Sequence, residues 1–157
     1  MFVTHGGEDT FAFGQALGAF LKKGDTVLLY GDLGAGKSVL ARGIADALGV
    51  SGEMASPTFT LMQPYNGKKE KVYHFDLYRL SGEDELYAAG LNDHIGGDGV
   101  ALIEWPQQAD VCPLVRVEID ILRGKEFDER EIEIALFGMD DRTDEVYESI
   151  RKWEIME

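Results

Sequence analysis

The chain is most constrained between residues 26 and 49. A short, largely apolar run, TVLLY, reads as a buried strand, and GDLGAGKS follows at once. Beyond it Leu40, Ile44, Ala47 and Leu48 fall on one helical face before Gly49. That spacing predicts an amphipathic helix with a glycine stop. Strand, glycine loop and helix therefore stand in immediate succession.

Gly31, Gly36, Lys37 and Ser38 match the pattern G-x-x-x-x-G-K-[ST]. Backbone N–H groups can wrap closely around phosphate oxygens only where Cβ atoms do not obstruct them, and the following helix aims its positive end at the same point. The expected nucleotide-binding stretch is Gly31, Asp32, Leu33, Gly34, Ala35, Gly36, Lys37, Ser38 and Val39. In such a loop the lysine reaches the β and γ phosphates and the serine hydroxyl ligates Mg²⁺. No N-K-x-D segment for reading guanine occurs, so ATP with Mg²⁺ is the expected ligand pair.

The rest of the chain supplies the surroundings for this unit. Residues 8–23 carry Phe13, Leu17, Phe20 and Leu21 at helical spacing, with Gly24 behind them. Residues 59–78 read as two strands around a turn at Asn66 and Gly67, with Pro64 making the first strand either irregular or an edge strand. Ser81 with Asp84 predicts a capped short helix ending at Gly90, then a glycine-rich loop. VALIE, at 100–104, is a second buried strand that ends in an acid. Val115, Val117, Ile119 and Ile121 alternate with Arg116, Glu118 and Asp120, and Ile132, Ile134 and Leu136 repeat the pattern. Residues 142–156 have helical spacing at Val146, Ile150 and Trp153.

These elements predict an α/β fold, a P-loop NTPase-like three-layer sandwich. Its mixed sheet has parallel core strands and antiparallel hairpins at one side. With 157 residues, 45% of them hydrophobic, one core is expected, hence a single domain over 1–157 with a terminal helix or tail from about residue 140.

Charge narrows the partners. Through Leu80 the chain has eight acidic and eight basic residues, whereas the remainder has twenty-one acidic and seven basic. A polyphosphate can approach the first half without opposition. A nucleic-acid binder normally shows a basic stripe that displaces counterions. Only the short KKEK at 68–71 approaches one, so direct tRNA or other nucleic-acid binding by this chain alone is not expected. The single cysteine, Cys112, forms no internal disulfide. No apolar run suits a membrane span and the first residues do not resemble a signal peptide, so a cytoplasmic protein without membrane contact is expected.

Three further side chains are candidates for chemistry. Glu104 ends VALIE and would lie beside the glycine loop if the two strands are neighbours, there to position Mg²⁺ or polarise the attacking water. Asp76 alternates with His74 on one face of VYHFDLYR and suits a water-orienting or metal-linked role, whereas His74 itself reads as structural. Thr58, in SPTF at 56–59, stands where P-loop proteins often carry a switch threonine near the γ phosphate. Trp105 suits stacking on a ligand or partner, and equally a place in the core. Two rival classes share the loop: a small-molecule kinase, for which the chain is poor in arginines, and a nucleotide-dependent binding module whose hydrolysis is incidental.

Taken together, GDLGAGKS, SPTF, HFDLYRL and LIEWP, in this order, resemble the TsaE family, formerly YjeE, of small bacterial P-loop ATPases. The resemblance runs from the first helix to about residue 138. It implies a role in making threonylcarbamoyladenosine on tRNA next to the anticodon, by docking on a heterodimer of TsaB and TsaD and hydrolysing ATP to support turnover. It also implies residue roles. Lys37 would be the phosphate lysine and Ser38 the Mg²⁺ hydroxyl, where family members usually have threonine. Thr58 would be the switch threonine and Asp76 the aspartate of H-x-D-x-Y-R. Glu104 and Trp105 would be the acid and tryptophan before proline, and Arg130 a basic position that approaches nucleotide.

Overall fold

The computed structural model describes residues 1–52, 54 and 61–155. In chain order its elements are β1 (Phe2–His5), α1 (Gly7–Gly18), β2 (Thr26–Tyr30), α2 (Lys37–Ala47), β3 (Met62–Asn66), β4 (Lys71–Asp76), α3 (Glu83–Ala88), β5 (Val100–Glu104), β6 (Arg116–Arg123), β7 (Glu129–Phe137) and α4 (Thr143–Ile150). Among the described residues the seven strands form one sheet in the order β1-β7-β6-β2-β5-β4-β3. β2 runs parallel to both β5 and β6, and β4 parallel to β5. Antiparallel pairs flank this parallel centre on both sides, β3 with β4 at one edge and β6–β7–β1 at the other. The sequence pattern predicts hairpins at one side only; the second flank arises because β6 joins β2 on the side opposite β5, which local pattern does not encode.

β2 and β5, at the middle of the sheet, are apolar on both faces because both faces are covered. Val27, Leu29, Leu102, Ile119 and Ile121 pack beneath Phe13 and Leu17 of α1 and Leu40 and Ile44 of α2. On the opposite face Leu28, Phe75, Leu77 and Ile103 pack with Leu86 of α3. Each fully buried Leu or Phe contributes about 1.5–3 kcal/mol of burial free energy. α1 and α2 approach closely: a Cβ on Gly43 would lie 2.2 Å from the Phe11 carbonyl oxygen.

Three local details differ from the sequence pattern. α1 ends at Gly18 and not near residue 23, since the chain tightens there: the Phe20 amide donates to the Leu17 carbonyl and that of Leu21 to Gly18. The β3–β4 connection is residues 67–70, not a tight turn on Asn66 and Gly67, for Asn66 still pairs with Lys71. Gly67 is required instead by crowding, because a Cβ there would meet the Glu70 and Leu48 carbonyl oxygens at 2.3 and 2.5 Å. α3 is capped by Gly82 without a side-chain bond, and Ser81 hydrogen-bonds Glu85 in place of Asp84. Pro64 does lie in an edge strand.

The C-terminal segment is docked. Val146 and Ile150 of α4 are fully buried, and the Trp153 ring packs edge-on against Phe13 at 5.3 Å. Trp153 Nε1 donates to Asp9 of α1 at 2.8 Å. At the foot of β2, the buried Asp25 carboxylate accepts from both terminal nitrogens of Arg142. No helix among the described residues is long and apolar enough to cross a membrane.

Candidate functional site

The site forms where β2, β5 and β4 end together. In the parallel registers Leu29 stands beside Glu104, and Glu104 beside Asp76. The condition on which Glu104 depended, neighbouring strands, is therefore met. Beyond Tyr30 the chain turns sharply into α2. Gly31 has φ +149° and a Cβ there would lie 2.5 Å from the Ile121 carbonyl oxygen, so only glycine lets β2 pass β6 at this point. Gly36 caps α2 in the left-handed conformation at φ +110°, which aims the first amides of the helix into the loop.

Lys37 opens α2 and is 5% exposed. Its ammonium donates to the Gly31 carbonyl and, at 3.3 Å, to that of Asp32, and it lies 3.9 Å from the centre of the Trp105 ring. Burial lowers its pKa, while the carboxylates of Glu104, Asp76 and Asp32 oppose that shift. The lysine is thus held inside the loop by carbonyls, which are weaker partners than phosphate oxygens.

Ser38 follows, and its hydroxyl donates to Glu104 at 3.2 Å from each carboxylate oxygen. Glu104 is 5% exposed and is held from the other side by His74, whose Nε2 lies 2.6 Å from Oε2. Asp76 reaches the same cleft, its carboxylate accepting the Tyr78 amide at 3.1 Å. Trp105 has φ +59° and rests against Tyr78 at 4.8 Å between ring centres. The cleft, about 310 Å³, is lined by Leu33, Gly34, Gly36, Lys37, Ser38, Val39, Asp76, Glu104 and Trp105. Hydroxyl and carboxylate oxygens are hard donors of the kind Mg²⁺ takes, so the pair at Ser38 and Glu104 fits that ion.

Arg130 lies on the other side of the loop. Its Nε donates to the Ala35 carbonyl at 2.8 Å, and it lines a small nook with Gly6, Gly7, Thr10, Gly36, Val39 and Asp128. Arg123, its partner across the β6–β7 ladder, lies 3.5 Å from the Gly34 carbonyl. Thr58 lies outside the described residues.

Sequence reasoning did not find the nook at the start of α1, the bracing role of Arg123, or the bond from His74 to Glu104. Thirty residues separate His74 from Glu104, and only the β4–β5 pairing brings them together. A histidine preceding a strand-end aspartate was the one available signal.

A mixed sheet with a parallel centre, opening through a glycine loop into α2, defines an α/β protein of the P-loop NTPase-like class. A family profile described as threonylcarbamoyl adenosine biosynthesis protein TsaE matches residues 4–132. The chain is 41% identical over 132 residues to the tRNA threonylcarbamoyladenosine biosynthesis protein TsaE of Bacillus subtilis, covering 83% of this chain and 82% of that one. It is also 41% identical over 116 residues to the protein of that name from Haemophilus influenzae, covering 72% and 71%. The crystal structure of Bacillus subtilis YdiB superposes with a TM-score of 0.74 at 34% identity, over 96% of this chain and 93% of that one. The chain belongs to the TsaE family.

Proposed function

We propose that this chain is a magnesium-dependent ATP-binding and ATP-hydrolysing subunit required for threonylcarbamoyladenosine modification of tRNA next to the anticodon. It acts on the TsaB–TsaD complex in the cytoplasm and supports that complex's turnover. The observation that carries the reading is the meeting of Lys37, Ser38 and Glu104 at the head of α2, below a loop whose glycines leave its amides open.

In this reading the loop amides and the Lys37 ammonium hold the triphosphate, and the nook bounded by Arg130 and the first turn of α1 receives the nucleoside end. Ser38 and Glu104 hold Mg²⁺, which when bound neutralises charge on the β and γ phosphates. Asp76 faces the same cleft and accepts a hydrogen bond from the water that attacks. Trp105, stacked on Lys37, has to yield part of that contact when phosphate arrives. Thr58 serves as the switch threonine beside the γ phosphate.

The chain's excess acidity, confined to residues 81–157, favours a protein partner over direct contact with tRNA. Hydrolysis by the isolated chain is slow because the partner completes or orders the site. The test is steady-state ATPase measurement with and without purified TsaB–TsaD dimer. Stimulation together with co-elution is expected; neither appearing would remove the partner from the proposal.

A further inference from the structure

His74 occupies an unusual place for a polar side chain. It sits within β4, 3% exposed, on the face covered by α1 and α2, and its register neighbour in β5 is Leu102. A leucine or valine would fill such a position, as Val72 does two residues earlier. Burying an imidazole instead costs free energy unless its polar atoms are paired. Nδ1 is buried and has no hydrogen-bond partner among the described residues. Among the described residues the bond of 2.6 Å from Nε2 to Glu104 Oε2 is therefore the ring's one hydrogen bond. A carboxylate only accepts, so Nε2 carries the proton and donates it.

This bond fixes more than His74. Glu104 has two carboxylate oxygens and two described side-chain partners: His74 on Oε2, and the Ser38 hydroxyl, equidistant from both oxygens at 3.2 Å. Without His74 nothing described would stop the carboxylate from turning about its last torsion, since Ser38 holds neither oxygen in preference.

We propose that His74 is a positioning residue for Glu104: its Nε2–H pins Oε2, which fixes the plane of the carboxylate across the Ser38 hydroxyl and leaves Oε1 free for the magnesium ion carried by the nucleotide. This rests on the magnesium–nucleotide reading of the site given above. A partner that orients a metal-binding group typically changes metal affinity by roughly 10–100-fold when removed.

The test is calorimetric titration of the full chain with a non-hydrolysable ATP analogue, in excess Mg²⁺ and again in EDTA, with the ratio of the two affinities as readout. His74→Leu is expected to reduce that ratio by roughly tenfold while leaving the EDTA affinity near that of the unsubstituted chain. His74→Gln, which keeps an N–H near the place of Nε2, is expected to retain most of the ratio. In a Glu104→Gln background His74→Leu should reduce it no further. If His74→Leu does not fold, His74→Asn, whose shorter amide falls short of Glu104, takes its place. An unchanged ratio in that variant, or equal losses with and without Mg²⁺, would overturn the proposal. An unsubstituted chain that gains nothing from Mg²⁺ would overturn the underlying reading as well, so the two failures are told apart by that control.

Discussion

Ser38 and Glu104 are 66 residues apart in the chain, yet the serine hydroxyl stands 3.2 Å from both carboxylate oxygens. The parallel pairing of β2 with β5 creates this contact, by placing the strand-end acid beneath the first turn of α2. Glu104→Gln keeps the shape and removes the charge. ATP hydrolysis by the chain with TsaB–TsaD is predicted to fall by roughly 10²-fold, while co-elution with the dimer persists. Asp76→Asn should give a loss of similar size. Unchanged hydrolysis in both variants would favour a binding module over an ATPase.

If the proposed function holds, Lys37 should make nucleotide binding sensitive to alkaline pH. Burial lowers its pKa in the free protein, and phosphate oxygens favour the ammonium and raise it again. Between the two values, binding takes up a proton, so affinity should fall as pH rises through the free-state value. Titrations in two buffers of different ionisation heat measure the uptake. Proton release, or none at all across the alkaline range, contradicts the assignment of Lys37 to phosphate.

The pair of Asp25 and Arg142 ties the C-terminal segment to the foot of the P-loop strand. Asp25 is 1% exposed, and removing it leaves a largely buried guanidinium with only the Phe20 carbonyl and the exposed Asp141 carboxylate as partners. Asp25→Ala is predicted to cost about 3–5 kcal/mol, which for a domain of this size lowers the melting temperature by roughly 6–20 °C. Arg142→Met added to it should restore part of the loss. Calorimetric melting of the three proteins decides the matter.

Close approach of α1 and α2 sets two glycines apart. Gly43→Ala would press a methyl group to 2.2 Å from the Phe11 carbonyl oxygen, a backbone atom that cannot swing away. A loss of about 1–3 kcal/mol is predicted, outweighing alanine's better helix propensity. Gly7→Ala meets no atom within 4 Å and should raise stability by about 0.4–1 kcal/mol. Urea unfolding distinguishes the two signs.

The parts of this structure legible in the sequence are those carried by local pattern. β2, the glycine loop and α2 follow from apolar period and glycine placement within about twenty residues, and β5 from a continuous apolar run. β6 shows the alternation of a strand with one face buried, for Val117, Ile119 and Ile121 point to the helices, and β7 repeats it with Ile132 buried and Ile134 and Leu136 half-buried. What stayed hidden depends on pairing across the sheet. β1 is only four residues long and is fixed by β7. Arg123 and Arg130 reach the loop because β6 runs beside β2. His74 reads as an ordinary strand residue in the sequence, and only the pairing of β4 with β5 brings it to Glu104. The end of α1 is not legible in the pattern, because Phe20 and Leu21 keep a helical spacing while the backbone has already tightened.

Every role proposed for the site depends on the grip of the loop and Lys37 on a triphosphate. Calorimetric titration of Mg·ATP into the folded chain and into Lys37→Ala measures that grip directly. One-site binding is predicted, weakened roughly 10–100-fold by the substitution, as expected for lost hydrogen bonds to a charged group. Absence of binding to the unsubstituted chain, or equal affinity in both proteins, would contradict it.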